Sequence, residues 1–332
     1  MTYPVTIIPG DGIGPEVSYA AQRVIDATGV KIEWHEHQAG TEVMNRLGTP
    51  LPQEVLDSIK KDRFALKGPI ATPIGTGFRS VNVELRQRLD LYANFRPAQS
   101  IKGVKSRYSD VDLIIIRENT EGLYSGLEHI VVPGVVESQR IITTKGSERI
   151  IRAAFKIAKR YGRKKVTAVH KANILKLSDG LFLEIAREVA RDFPEIEYDE
   201  AIVDATAMRL VLDPNQFDVL VMENLFGDII SDLTSGLIGG LGVAPSGNLG
   251  DNCAVFEAVH GSAPDIAGKG IANPTALLLS GALMLQQMGE PDAAERIRNA
   301  VKKVIKEGKK TTGDLGGPCN TKEYTDALIA EL

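Results

Sequence analysis

The chain has 332 residues, of which 43% are apolar and 25% charged, the balance of a globular protein and not of a disordered, collagenous or coiled-coil one. At about 100–200 residues per domain, this length predicts roughly two domains. A chain of this size buries about three quarters of its unfolded surface, so a core forms without covalent staples. Thirty-nine basic residues against 43 acidic ones leave a net charge of −4, a poor match to a generally basic nucleic-acid-binding face.

No apolar run is long enough to predict a membrane span. The two cysteines, Cys253 and Cys319, make no disulfide framework and fit a reducing compartment. The first strand pattern begins at Val5 and leaves no room for a leader, so the expected location is the cytoplasm.

Val5–Ile8 reads as a short buried strand running into Pro9-Gly10-Asp11-Gly12-Ile13-Gly14-Pro15-Glu16, with a helical pattern to Ile25. The third glycine falls one residue early for G-x-G-x-x-G, and Pro15 suits the start of a helix. A tight strand-to-helix turn is expected here, not a pyrophosphate cradle. Ser80 is placed as the N-cap of a helix carrying Asn82 and Arg86 on one face. Arg79, Arg86, Arg88, Arg96 and Arg117 crowd this region, and Arg117 follows the strand Leu113–Ile116. Guanidinium forks pair with carboxylates, so several converging ones suit a polycarboxylate, although any single one is more often surface arginine. Two β-rich runs flanking Pro133-Gly134 predict a hairpin over Ser125–Thr143. It either caps its own domain or pairs with a second subunit.

Further on, helical patterns at Gly146–Tyr161, Ser178–Asp192, Gly227–Ile238, Pro274–Met288 and Ala293–Lys306 alternate with strands at Val166–Val169, Val219–Met222 and Ala254–Phe256. Short apolar strands between helices predict an α/β fold with both sheet faces covered. Lys302 to Lys310 reads as a solvated complement to a helix dipole. Asp228 and Asp232 share a helix face, which usually means two solvated acids. The functional alternative is a site for Mg²⁺ or Mn²⁺, strengthened by a third acid such as Asp204, placed at a strand end. Lys171 and Tyr124 are candidates for acid/base work once burial tunes them. His170 and His260 are not at metal-ligand spacing.

These segments together resemble the β-decarboxylating dehydrogenases, the isocitrate/isopropylmalate dehydrogenase family. The resemblance is carried along the whole chain. Its motifs are Pro9–Glu16, Asp90-Leu91-Tyr92-Ala93-Asn94-Phe95-Arg96-Pro97, Arg117-Glu118-Asn119-Thr120-Glu121-Gly122 and His170-Lys171-Ala172-Asn173. Asn224-Leu225-Phe226-Gly227-Asp228-Ile229-Ile230-Ser231-Asp232, His260-Gly261-Ser262-Ala263-Pro264 and Asn273-Pro274 complete the set. It implies a two-domain α/β fold with a mixed sheet running through both domains, distinct from the Rossmann fold. Residues 1–91 with 239–332 would form the large domain, and 92–238 the small one with a dimer clasp at about 122–143.

The implied activity is NAD-dependent oxidative decarboxylation of isocitrate with Mg²⁺ or Mn²⁺. Homoisocitrate, 3-isopropylmalate and a regulatory-subunit role are the alternatives. By resemblance, Arg86, Arg96 and Arg117 grip the substrate carboxylates with Ser80 and Asn82. Tyr124 and Lys171 of a partner subunit handle protons, and Asp228 and Asp232 bind the metal with a partner's Asp204. NAD would lie along Ile13, Lys67, Thr72, Asn173, Glu257, His260, Gly261, Ala263, Asp265, Ile266, Asn273 and Asp314. The shared site implies a homodimer or higher homo-oligomer. A polar Ser80/Asn82 pair can hydrogen-bond a third carboxylate, where an alkyl group would leave it unpaired at a cost of about 1–3 kcal/mol. Asp265-Ile266 stands where NADP-dependent relatives often carry Lys-Tyr, and Gly313 where such relatives place a Tyr. An acid there accepts from a ribose diol and repels a 2′-phosphate.

Overall fold

A computed structural model describes residues 2–72 and 80–332, so Arg79 lies outside the described residues. The N-terminal part runs β1 (Tyr3–Ile8), α1 (Gly14–Ala27), β2 (Ile32–Glu36), α2 (Thr41–Leu47), α3 (Gln53–Asp62), β3 (Phe64–Lys67) and α4 (Val81–Arg88). There follow β4 (Ala93–Gln99), β5 (Asp112–Glu118), β6 (Gly122–Val132), β7 (Val135–Ile141), α5 (Thr144–Arg160), β8 (Lys165–His170), α6 (Ser178–Ala190), β9 (Glu197–Ile202) and α7 (Val203–Leu212). The rest is β10 (Val219–Met222), α8 (Asn224–Leu237), β11 (Pro245–Leu249), β12 (Ala254–Ala258), α9 (Thr275–Met288), α10 (Pro291–Glu307) and α11 (Thr321–Ile329).

Ten strands form one sheet in the order β2-β1-β3-β12-β11-β4-β5-β10-β8-β9. The first four are mutually parallel, and so are the last four. Between them β11 is antiparallel to both β12 and β4, and β4 is antiparallel to β5. The two parallel blocks therefore run in opposite directions, the mixed sheet that the resemblance implies. Leu113, Ile114, Ile115 and Ile116 of β5 are all buried, as expected of a strand covered on both faces. Helix α9 is buried almost all round.

The glycine-rich opening is a turn. Gly12 has φ +62°, and a Cβ there would sit 2.0 Å from the Ser262 carbonyl oxygen. That glycine lets the 260–273 loop lie directly against the turn, where Ile13 N–H donates to Ser262 O at 2.9 Å. Helix α8 starts three residues earlier than its apolar pattern, because Glu223 caps it by accepting from the N–H groups of Leu225 (3.1 Å) and Phe226 (2.9 Å). Asp204 lies in the first turn of α7, not at a strand end. The hairpin forms as expected around Pro133-Gly134, as a separate two-stranded sheet of β6 and β7. Ile130, Val132 and Val136 on it are exposed. Both cysteines are free, and among the described residues no helix is long and apolar enough to cross a membrane.

Candidate active site

The pleat of the central strands builds the floor. Asn94 and Arg96 on β4, Ser246 and Asn248 on β11, and Arg117 on β5 share one face, because side chains two apart point the same way. The opposite face carries Phe95, packed on Tyr161 with ring centroids 5.3 Å apart. Beside this floor, Lys67 and Glu257 are register partners across β3 and β12. Lys67 Nζ meets Glu257 Oε2 at 2.7 Å, and Arg86 from α4 reaches Glu257 Oε1 at 3.1 Å. Asn248 donates to Glu257 at 2.7 Å and accepts from Asn94 at 2.9 Å and Asn119 at 3.0 Å. Burial works against the Glu257 charge, but Lys67 and Arg86 prevail and hold its carboxyl far below the usual range.

Helix α8 supplies the facing wall. Arg96 donates to Ser231 Oγ (2.6 Å) and Asp232 (3.0 Å). Arg117 forks onto Asn224 Oδ1 at 3.1 and 2.8 Å and pairs with Asp228. Gly227 makes this approach possible, since a Cβ there would lie 2.4 Å from Arg117 Cγ. The Tyr124 hydroxyl also donates to Asp228. Burial and then the neighbouring Arg86 charge draw Arg117 down to about 10, and the same two causes lower Arg96. Burial raises the Tyr124 phenol, reinforced by its bond to Asp228. Burial would raise Asp228 too, yet Arg117 and the Tyr124 hydroxyl outweigh it and leave the carboxyl depressed.

These groups enclose a cavity of ≈ 220 Å³ lined by Ser80, Asn82, Arg86, Arg96, Arg117, Tyr124 and Asp228, with Lys67, Glu257, His260 and Gly261 among its neighbours. Four cations face two carboxylates in this lining. Among the described residues, Arg86 Nε, Arg96 Nε and Asn82 Oδ1 are buried without a hydrogen-bond partner. A small polyanion supplies the acceptors that the two guanidinium Nε donors lack. Ser80 occupies the N-cap position of α4, but its hydroxyl caps nothing; it accepts from Thr72 Oγ1 at 3.2 Å.

A second cavity of ≈ 530 Å³ is lined by Ile13, Ile266, Asn273, Gly313 and Asp314, and His260 borders both cavities. Asn273 Nδ2 donates to Asp314 at 2.9 Å. Burial lowers the His260 imidazole, whose Nε2 has no partner among the described residues. Glu16 closes the opening motif, and the sequence assigns it no role of its own. Its carboxylate accepts from the N–H groups of Gly270 (3.2 Å) and Ala272 (2.7 Å) and from the Thr321 hydroxyl, anchoring the 260–273 loop to α1. Ala263 and Asp265 lie on that loop, with Asp265 exposed.

Lys171 and Asp204 stand apart from both cavities and pair with each other at 2.6 Å, with Asn173 in the turn just beyond Lys171. Within one chain, and among the described residues, no three acidic, histidine or cysteine side chains gather as a metal site. Asp228 and Asp232 offer two hard oxygen donors on successive turns of α8, which suits Mg²⁺ or Mn²⁺ once a third acid arrives from elsewhere.

A profile of the isocitrate/isopropylmalate dehydrogenase family matches residues 4–328. The chain is 56% identical over 98% of its length, and 88% of the relative's, to the mitochondrial isocitrate dehydrogenase [NAD] catalytic subunit 5 of Arabidopsis thaliana. It is 54% identical to a mitochondrial isocitrate dehydrogenase [NAD] regulatory subunit of Dictyostelium discoideum, over 99% of this chain and 91% of that one. The crystal structure of isocitrate dehydrogenase from Methylococcus capsulatus superposes with a TM-score of 0.96 at 56% identity, covering 99% of each chain. The cytoplasmic expectation is corrected by these findings, because both curated relatives are named as mitochondrial proteins. That expectation rested on a strand pattern starting near the N-terminus, and a folded chain of this kind fits either compartment.

Proposed function

Because the chain belongs to the isocitrate/isopropylmalate dehydrogenase family, we propose that it oxidises and decarboxylates isocitrate to 2-oxoglutarate and CO₂, with NAD as hydride acceptor. The observation that carries this reading is the convergence of Arg86, Arg96 and Arg117 with Ser80 and Asn82 on one small cavity of excess positive charge. Three guanidinium groups and a polar Ser/Asn pair match a tricarboxylate better than a substrate with an alkyl arm.

Asp228 and Asp232, with Asp204 from a second copy, would hold Mg²⁺ or Mn²⁺. The second cavity, from Ile13 past Asn273 to Asp314, would take NAD with its nicotinamide end near His260, Thr72 and Lys67. When bound, NAD accepts the hydride from C2, and the cation acidifies the C2 hydroxyl. The chain's own groups do the rest. A substrate carboxylate replaces Asp228 on Arg117, which frees the aspartate for the cation. Lys171 of a second copy, in its neutral amine form, takes the hydroxyl proton. Tyr124, kept protonated by its surroundings, returns a proton to C3 after CO₂ departs.

Assembly of at least two copies, identical or related, follows from this reading. It is supported by the exposed apolar hairpin and by the distance of Lys171 and Asp204 from the cavity they would serve. The division into residues 1–91 with 239–332 and residues 92–238 belongs to the same proposal. It is supported by the sheet, whose two parallel blocks come from those two parts. The relative named as a regulatory subunit favours a second reading, a ligand-binding subunit with little turnover. The presence of Tyr124, Lys171, Asp204, Asp228 and Asp232 together weighs against it. Comparing kcat/KM of the purified chain on isocitrate, homoisocitrate and 3-isopropylmalate tests the assignment. Isocitrate should lead by at least about tenfold, and a lead for 3-isopropylmalate overturns it.

A further inference from the structure

The root of the hairpin carries an ion pair that the reaction scheme above does not use. Arg140, near the end of β7, has its side chain 14% exposed, and Asp179 in the first turn of α6 is 2% exposed. The two oxygens of Asp179 serve different partners. Oδ1 accepts from Arg140 Nη1 at 2.6 Å, while Oδ2 accepts from the backbone N–H of Lys171 at 2.5 Å. Arg140 Nη2 lies 3.6 Å from Glu223, the residue that caps α8. One guanidinium therefore joins the hairpin root to the loop bearing Lys171 and to the helix bearing Asp228.

Among the described residues, the Lys171 side chain is held at its tip by Asp204 alone, which is 67% exposed at the side chain and so a weak tether. What fixes the lysine in space is its backbone. That backbone is pinned by a buried carboxylate whose other oxygen is locked by a charge-assisted bond. A reacting group displaced by about 1 Å loses on the order of a hundredfold in rate, so such a support matters.

We infer that Asp179, held by Arg140, is a positioning residue for Lys171, and that the pair links the seating of the hairpin to the placement of the proton acceptor. The inference rests on the reading of Lys171 as the base that serves a second copy. The hairpin root, the Lys171 loop and α8 then move as one body.

The test uses the full chain in its assembled form, with Asp179→Asn and, separately, Arg140→Met and Arg140→Lys. Two readouts are taken. One is initial-rate kinetics with isocitrate and NAD. The other is acylation of Lys171 by dilute acetic anhydride, followed across pH by mass spectrometry against the exposed Lys176 of the same digest. Asp179→Asn and Arg140→Met should lower kcat by roughly tenfold or more while KM stays within about twofold, and should change Lys171 acylation relative to Lys176 by at least about threefold. Arg140→Lys, which keeps a cation, should recover most of both. Lys171 acylation that stays unchanged in Asp179→Asn and Arg140→Met overturns the inference, whatever happens to kcat. Should Asp179→Asn fail to assemble, the two Arg140 variants decide by the same readouts. A wild-type protein that does not oxidise isocitrate overturns the functional reading instead, because the acylation ratio still reports on the Asp179 support.

Discussion

Tyr124 and Glu257 show how single side chains are set by their surroundings. The Tyr124 phenol is raised by burial and by its bond to Asp228, so it stays protonated through neutral and mildly alkaline pH. Tyr124→Phe should therefore lower kcat by about a hundredfold or more with KM for isocitrate little changed, because proton return and not binding is lost. Steady-state kinetics check this; a KM rise with kcat intact contradicts the role. Glu257 is a buried acid whose carboxyl is depressed against its own desolvation by Lys67 and Arg86. A depressed carboxyl contributes stability that is complete above its unfolded value of about 4.3 and is lost as pH falls through the folded value. Glu257→Gln leaves two buried cations unpaired and should cost about 3–5 kcal/mol at neutral pH. Its penalty should shrink as pH is lowered below the ordinary glutamate range. Denaturant titrations of both proteins at several pH values measure the difference. The arginines, Tyr124 and the α8 aspartates were legible in the sequence because their motifs are local. Glu16 and Asp179 were not, since each acts on a backbone N–H that only the folded chain brings near, and no spacing rule marks a lone acid for that task. Glu223 acts on N–H groups two and three residues on, but glutamate is not among the preferred helix N-caps.

At the scale of elements, legibility followed burial. Strands covered on both faces, such as β5 and β10, are near-continuous apolar runs and stood out. The edge strand β2 reads Ile-Glu-Trp-His-Glu, and β3 is four residues ending in Lys67; neither carries a run long enough to separate from its surroundings. The hairpin was readable from its turn pair, but its partner was not, since exposed valines and isoleucines do not say what covers them. On the proposed reading, the 260–273 loop bears the choice of cofactor. Asp265 is exposed there and free to meet a ribose diol, so Asp265→Lys with Ile266→Tyr should move the NAD:NADP ratio of kcat/KM towards NADP by at least about tenfold. An unchanged ratio removes the loop from the specificity argument.

For the whole molecule, the antiparallel pair β11 and β4 explains why one face of the sheet centre can hold a polar site between two parallel blocks. Chain order alone could not show this, because β11 and β4 pair across more than a hundred intervening residues. The proposed sharing of sites between copies has its own consequence. A Lys171→Met chain and a Tyr124→Phe chain, each nearly inactive, should regain about a quarter of wild-type activity when dissociated and reassembled in equal amounts as dimers. Mixed assemblies then contain one site with both defects and one with neither. Mixtures that stay inactive place Lys171 and Tyr124 in the same copy's site.

The most direct measurement is product stoichiometry from the purified chain alone, with isocitrate, NAD and Mg²⁺ or Mn²⁺. One NADH, one CO₂ and one 2-oxoglutarate are expected per isocitrate consumed, with turnover abolished by chelation and far weaker with NADP. Isocitrate that is bound but not consumed, or NADH formed without CO₂, contradicts the proposed function.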